Sequence, residues 1–237
     1  MTRKDFELPM SGPEKVAGWI YVPIHIFALP ILLPSAALML NSVGISLTDI
    51  QINFIYYLLG FLFSALIMGH YLKNTFNDFA DSVLRTLLNV VVCLVVYYCI
   101  AYVVNFVLAF FLPDLINPNT GAVIENTMEN SKSMFAVSVL LAPITEEVIF
   151  RGVVFGTIRR KNRIAAFVIS ALIFSVYHLW QFAVIGYSIG TLVLYAIQYI
   201  PASIMLAKCM EDSGNLWGPI FMHMTVNYLA LLVTKLM

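Results

Sequence analysis

Three short runs in this chain carry residue types that could break a bond. They are Glu146-Glu147-Val148-Ile149-Phe150-Arg151, then Phe174-Ser175-Val176-Tyr177-His178, then His223-Met224-Thr225-Val226-Asn227. Hydrolysing an amide needs an activated water, donors for a tetrahedral oxyanion, and a proton for the leaving amine. A carboxylate and a histidine can move the protons, and an imidazole or side-chain amide can donate to the oxyanion. No Ser, Cys or His-Glu-x-x-His pattern is arranged with these histidines to suggest another route.

Spacing assigns provisional roles. Glu147 and Arg151 stand at i and i+4 with the acid first, the better order for a helical ion pair, so they read as a structural tether. Glu146 is rotated by about 100° from Glu147 and is free for chemistry. His223 and Asn227, again at i and i+4, face one direction, while Phe174 lies one turn before His178 and walls the site. Pro143 has no N–H, so it frees a carbonyl around Val139 and introduces a kink.

The elements that must position these residues are membrane spans. Of 237 residues, 61% are hydrophobic and only 11% charged, against about 25% charged in soluble domains. The apolar residues fall in runs near the ~20 residues that a helix needs to span a bilayer. Seven segments qualify: Val16–Leu40, Ile52–Leu72, Thr86–Leu112, Met134–Ile158, Ile164–Ala183, Ile189–Lys208 and Leu216–Thr234. In lipid such runs satisfy their backbone only as helices. The expected fold is therefore an all-α, polytopic transmembrane bundle of seven to eight helices in one domain, 1–237. The count depends on whether Pro23, Pro30 and Pro34 divide the first run. Pro113–Ser133 reads as an exposed polar loop, and the N-terminus as a retained helix rather than a cleaved signal. Cys93, Cys99 and Cys209 read as buried thiols, and His25 has no evident partner.

Lys and Arg set the expected orientation. With a cytoplasmic N-terminus, Arg3, Lys4, Lys15, Lys73, Arg85, Arg159, Arg160, Lys161, Arg163 and Lys208 share one side, and only Lys132 and Lys235 fall opposite. Zero formal net charge gives no reason to expect a nucleic-acid partner. Counted from that side at ~1.5 Å per residue, Glu146 lies roughly 18 Å deep, His178 roughly 21 Å and Asn227 roughly 17 Å. His223 is one turn shallower. Three helices thus bring costly polar groups to nearly one level, and ionisable residues inside a membrane mark function by default.

The ordered pattern Glu-Glu-x-x-x-Arg, Phe-x-x-x-His, His-x-x-x-Asn resembles the CPBP family of CAAX prenyl endopeptidases and bacteriocin-processing proteins, also called the abortive-infection family. The resemblance rests on Glu146, Glu147, Arg151, Phe174, His178, His223 and Asn227 and covers Met134 to Thr234. It implies an intramembrane endopeptidase with a water-accessible conical cavity. Its substrate would be a membrane-associated peptide or protein, lipidated in the CAAX-cleaving members. On that reading Glu146, helped by His178, activates water, His223 and Asn227 hold the oxyanion, and no cofactor is needed. A zinc bound by Glu146, His178 and His223 is the second choice. A proton-relay transporter and a non-catalytic immunity protein are rivals from other classes. The chain has no Asn-x-Ser/Thr sequon, which favours a bacterial plasma membrane over the endoplasmic reticulum.

Overall fold

The computed structural model describes residues 9–113, 115 and 117–236; Arg3 and Lys4, used for orientation above, lie outside the described residues. The described chain folds into α1 (Gly12–Asn41), α2 (Asp49–Leu66), α3 (Gly69–Ala80), α4 (Val83–Phe111), α5 (Pro118–Glu129), α6 (Ser131–Arg159), α7 (Arg163–Val184), α8 (Ile189–Ser213) and α9 (Trp217–Leu236). All but α3 and α5 are long and apolar enough to cross a bilayer. The protein is an integral, multi-pass helical bundle.

The structure settles one open count and corrects two expectations in detail. The proline-rich first run stays one helix: Pro23 is followed by a widened π segment, Ile24–Ala28, which accommodates the lost donor without dividing the element. The second run ends at Leu66, and Met68 leaves helical geometry with ψ 14°. Beyond it α3 forms an amphipathic helix that buries Tyr71 and Thr75 and exposes Lys73, Asn77 and Asp78. The segment expected to be a loop contains α5, whose start is capped by Asn117 with Pro118 at the first position.

α3 is fastened to the start of α1. Glu14 accepts from the Tyr71 backbone N–H (2.6 Å) and closes a capping box with Ser11. Burial, reinforced by the Glu14 and Asp78 carboxylates, pushes the Tyr71 phenol pKa up. At the same end, Glu211 of α8 accepts from Arg159 (2.5 Å) and Arg163 (2.8 Å), tying α6, α7 and α8 together. Following the chain through seven spans puts Lys15, Lys73, Arg85, Arg159, Arg160, Lys161, Arg163 and Lys208 at this one end.

α6 is the axis of the bundle. In its most apolar window 61% of residues are buried, against 17–28% in the other spans. It touches α1, α2, α7, α8 and α9. Glycines permit the closest approaches: a Cβ on Gly18 would collide with Val153, and one on Gly60 with Thr145. Small residues at such crossings let membrane helices pack backbone to backbone. Cys93 and Cys209 are buried free thiols as expected, whereas Cys99 is exposed on α4.

Candidate active site

α6 is irregular where it carries its chemistry. It is π-helical over Ala136–Leu141, α-helical through Glu146, and π-helical again over Glu147–Phe155. Segments of this kind are frequent at functional sites. In the first, Ala142 N–H bonds to Val137 O, five residues back. The next donor in that register would be Pro143, which has none, so the freed carbonyl is that of Ser138 rather than Val139. Asn227 of α9 fills the vacancy: its Nδ2 donates to Ser138 O at 2.8 Å.

The Glu147–Arg151 pair forms as the spacing requires, at 3.2 Å, with both side chains fully buried. Arg151 is held further by Ser203 of α8, at 3.3 Å to its carbonyl and 3.4 Å to its hydroxyl. Its guanidinium carbon lies 4.4 Å over the Phe174 ring. Phe174 is thus a wall that also carries the cation.

Glu147 does more than hold Arg151. Its Oε1 lies 2.7 Å from His223 Nδ1. A carboxylate oxygen accepts, so Nδ1 carries the proton and Nε2 is left for other work. That Nε2 lies 4.0 Å from Glu146 Oε2, too far for a direct hydrogen bond but a span that one water can bridge.

Glu146 is oriented from a helix that carries none of the three motifs. Tyr57 of α2 donates to Glu146 Oε1 at 3.0 Å, and Tyr177 lies 3.4 Å from the same oxygen. The two tyrosine hydroxyls are 2.9 Å apart. Glu146 Oε2, in contrast, is buried without a hydrogen-bond partner among the described residues. The Gly60–Thr145 crossing explains the reach, since it presses α2 onto α6 within one turn of both Tyr57 and Glu146. Behind this pair His25 is fully buried, its ring 4.6 Å from Tyr56 and 5.5 Å from Tyr177. The hydroxyl of Tyr56 donates to the His25 carbonyl.

His178 enters the cluster through its neighbours. Its Nδ1 donates to Phe174 O at 2.8 Å, and Nε2 makes no hydrogen bond among the described residues. Its ring stacks on Tyr199 at 4.6 Å and meets Tyr177 at 4.8 Å. Tyr199 is held in turn by Asn117 at the start of α5. Six of the seven motif residues, Glu146, Glu147, Arg151, Phe174, His178 and His223, therefore lie in one connected cluster, with His223 as the histidine that faces Glu146, while Asn227 joins α9 to α6 through the Ser138 carbonyl. His178, Asn227, Tyr57 and Tyr177 are only half-buried and border the buried Glu146, Glu147 and His223. The proposed zinc ligands Glu146, His178 and His223 do not form a group that could hold a metal ion among the described residues.

Sequence reasoning missed Tyr57 and Tyr177. A signal was present: tyrosine favours the membrane interfaces, yet Tyr57 stands at the centre of α2 and Tyr177 lies at the depth of His178. If Tyr57 positions Glu146, Tyr57→Phe should lower kcat by roughly 10–100-fold, the worth of a hydrogen bond to a charged group. KM and expression should hold. Tyr56→Phe, which removes a hydroxyl bonded to the His25 carbonyl and Tyr177 rather than to Glu146, is the control. Equal losses in the two variants would reduce Tyr57 to packing.

Comparison with known proteins supports the grouping that the motifs suggest. Residues 129–229 match the family model of type II CAAX prenyl endopeptidase Rce1-like proteins. That range contains Glu146, Glu147, Arg151, Phe174, His178, His223 and Asn227. The chain is 30% identical over 110 residues to YdiL of Bacillus subtilis (strain 168), a protein named as a candidate membrane peptidase. The match covers 46% of this chain and 40% of that protein. No solved structure matches the chain. The part of this multi-pass membrane protein that carries the motifs is thus the part that resembles type II CAAX prenyl endopeptidase Rce1-like proteins.

Proposed function

We propose that the chain is an intramembrane endopeptidase of the CAAX prenyl protease type, cleaving a membrane-associated peptide or protein with a water activated by Glu146. One observation carries this reading. Glu146 Oε1 is held by Tyr57, while the buried Oε2, without a hydrogen-bond partner among the described residues, faces His223 Nε2 across 4.0 Å. A water in that gap would meet a base on one side and an imidazole on the other. Glu146 takes the water's proton as the oxygen attacks the scissile carbonyl. His223, steadied by Glu147, and the second Nδ2 hydrogen of Asn227 donate to the oxyanion. The proton then passes to the leaving amine from Glu146 or through His178, whose Nε2 is uncommitted. With His223 protonated, two carboxylates balance one imidazolium and one guanidinium, the arrangement that least penalises charge in an apolar interior.

The test is cleavage. Purified full-length protein in proteoliposomes should cut a membrane-associated peptide, with a prenylated CAAX peptide as first candidate, and mass spectrometry of the products should locate the bond. No cleavage of any such peptide, or cleavage undiminished in Glu146→Gln, would overturn the proposal. The transporter and immunity readings have no comparable geometric support.

The same proposal includes an orientation, N-terminus and Arg159–Arg163 in the cytoplasm, supported by the gathering of basic residues at one end. A bacterial plasma membrane fits the Bacillus subtilis relative. Single cysteines at Asn162 and Asn119 should label from opposite sides, Asn162 from the cytoplasm. Labelling from one side alone would defeat the topology.

A further inference from the structure

The basic end of the bundle holds a cavity of about 700 Å³, lined by Lys15 and Trp19 of α1, Thr157 and Ile158 of α6, and Arg160 and Lys161 of the turn that follows. Arg159 and Arg163, from the same basic run, are bound by Glu211. Glu14, next to Lys15, turns away to the Tyr71 backbone. Among the described residues, no carboxylate forms an ion pair with Lys15, Arg160 or Lys161. The Thr157 hydroxyl is occupied by Val153 O.

The cavity continues into an apolar strip. Lys15 and Trp19 are one turn apart on α1 and share a face. Beside them Val16 is 62% and Ile20 59% exposed, and Ile24 and Phe27 extend the strip along a span that faces lipid. A triply cationic recess at the end of a span, opening onto an exposed apolar helix face, is complementary to one kind of molecule. Basic pockets between membrane helices bind anionic headgroups.

We infer that this recess is a binding site for an anionic phospholipid, with the phosphate between Lys15, Arg160 and Lys161 and an acyl chain along Val16, Ile20 and Ile24. The inference is independent of the proteolytic reading. A lipid seated here would bridge α1 to the end of α6, the helix that carries Glu146, Glu147 and Arg151.

Native mass spectrometry of the full-length protein, titrated with phosphatidylglycerol or with phosphatidylcholine of the same chains, tests it. Phosphatidylglycerol should be retained in preference. Arg160→Gln/Lys161→Gln should weaken its retention about 25-fold, about fivefold for each cation lost. Lys15→Gln, on a separate helix, should weaken it about fivefold and serves alone should the double variant fail to fold. Lys73→Gln, a basic residue at the same end but outside the cavity, should leave retention unchanged. Equal retention of phosphatidylcholine, unaltered binding in the cavity variants, or an equal loss in Lys73→Gln would each overturn the site. Displacement of the lipid by millimolar inorganic phosphate would make it a free-phosphate site instead and overturn the lipid assignment.

Discussion

Glu146→Gln should abolish cleavage while the protein expresses and melts as its parent does. The glutamine keeps a carbonyl oxygen for the Tyr57 hydroxyl, now 3.0 Å from Glu146 Oε1, so the side chain stays in place. It loses the one function the proposal needs, a carboxylate oxygen free to accept a proton at Oε2. Glu147→Gln should behave differently. Its Oε1 serves both Arg151 and His223, and all of Glu147 and Arg151 is buried. Removing its charge leaves Arg151 uncompensated inside a membrane, and breaking one partner of a buried pair costs about 3–5 kcal/mol. Low expression and a lowered melting temperature are the expected outcome. Turnover should fall as well, because His223 loses the carboxylate that orients its ring and balances its imidazolium. Thermal melts and turnover on both purified variants make the comparison. A fully active Glu146→Gln beside a stable but inactive Glu147→Gln would exchange the two roles.

Which features could be read in advance follows from where their physical cause resides. A membrane span is a property of one contiguous run, so the seven spans emerged from composition alone. The i, i+4 pairing of Glu147 with Arg151 is equally local, and it forms. Features set between segments were not legible. Tyr57 reaches Glu146 because Gly60 lets α2 press on Thr145, a contact between residues far apart in sequence. The second bond of Glu147, to His223 on α9, is hidden for the same reason. The freed carbonyl was misplaced by one residue because a helix was counted in α register where it is π. In α5 the Asn117 cap and Pro118 at the first turn were visible, but a polar, Gly-containing stretch obscured them. The break after Leu66 has no polar mark, since Ile67 and Met68 continue the apolar run.

Asn227→Ala should lower turnover by roughly 10²–10³-fold, the usual loss for one oxyanion donor, with less effect on KM. The structure gives this residue a second duty that sharpens the test. One Nδ2 hydrogen goes to the Ser138 carbonyl that Pro143 leaves unmatched, and an unmade hydrogen bond of that kind costs about 1–3 kcal/mol. If capping were all that Asn227 did, Asn227→Ala would melt lower while its folded fraction kept a near-parental kcat. A kcat that falls far more than the stability explains requires the second hydrogen to act on the reacting carbonyl. The same preparation tests the metal alternative. An amide is a poor zinc ligand and a good oxyanion donor, so a site built around Asn227 should run without zinc. Metal analysis of active protein should find less than stoichiometric transition metal, and prolonged chelation should leave turnover intact. One zinc per chain, with activity lost to a chelator and restored by zinc, would defeat the glutamate mechanism. Glu146, His178 and His223 would then have to move together as ligands, and Glu147 would become the carboxylate that orients a ligating His223 through its Nδ1.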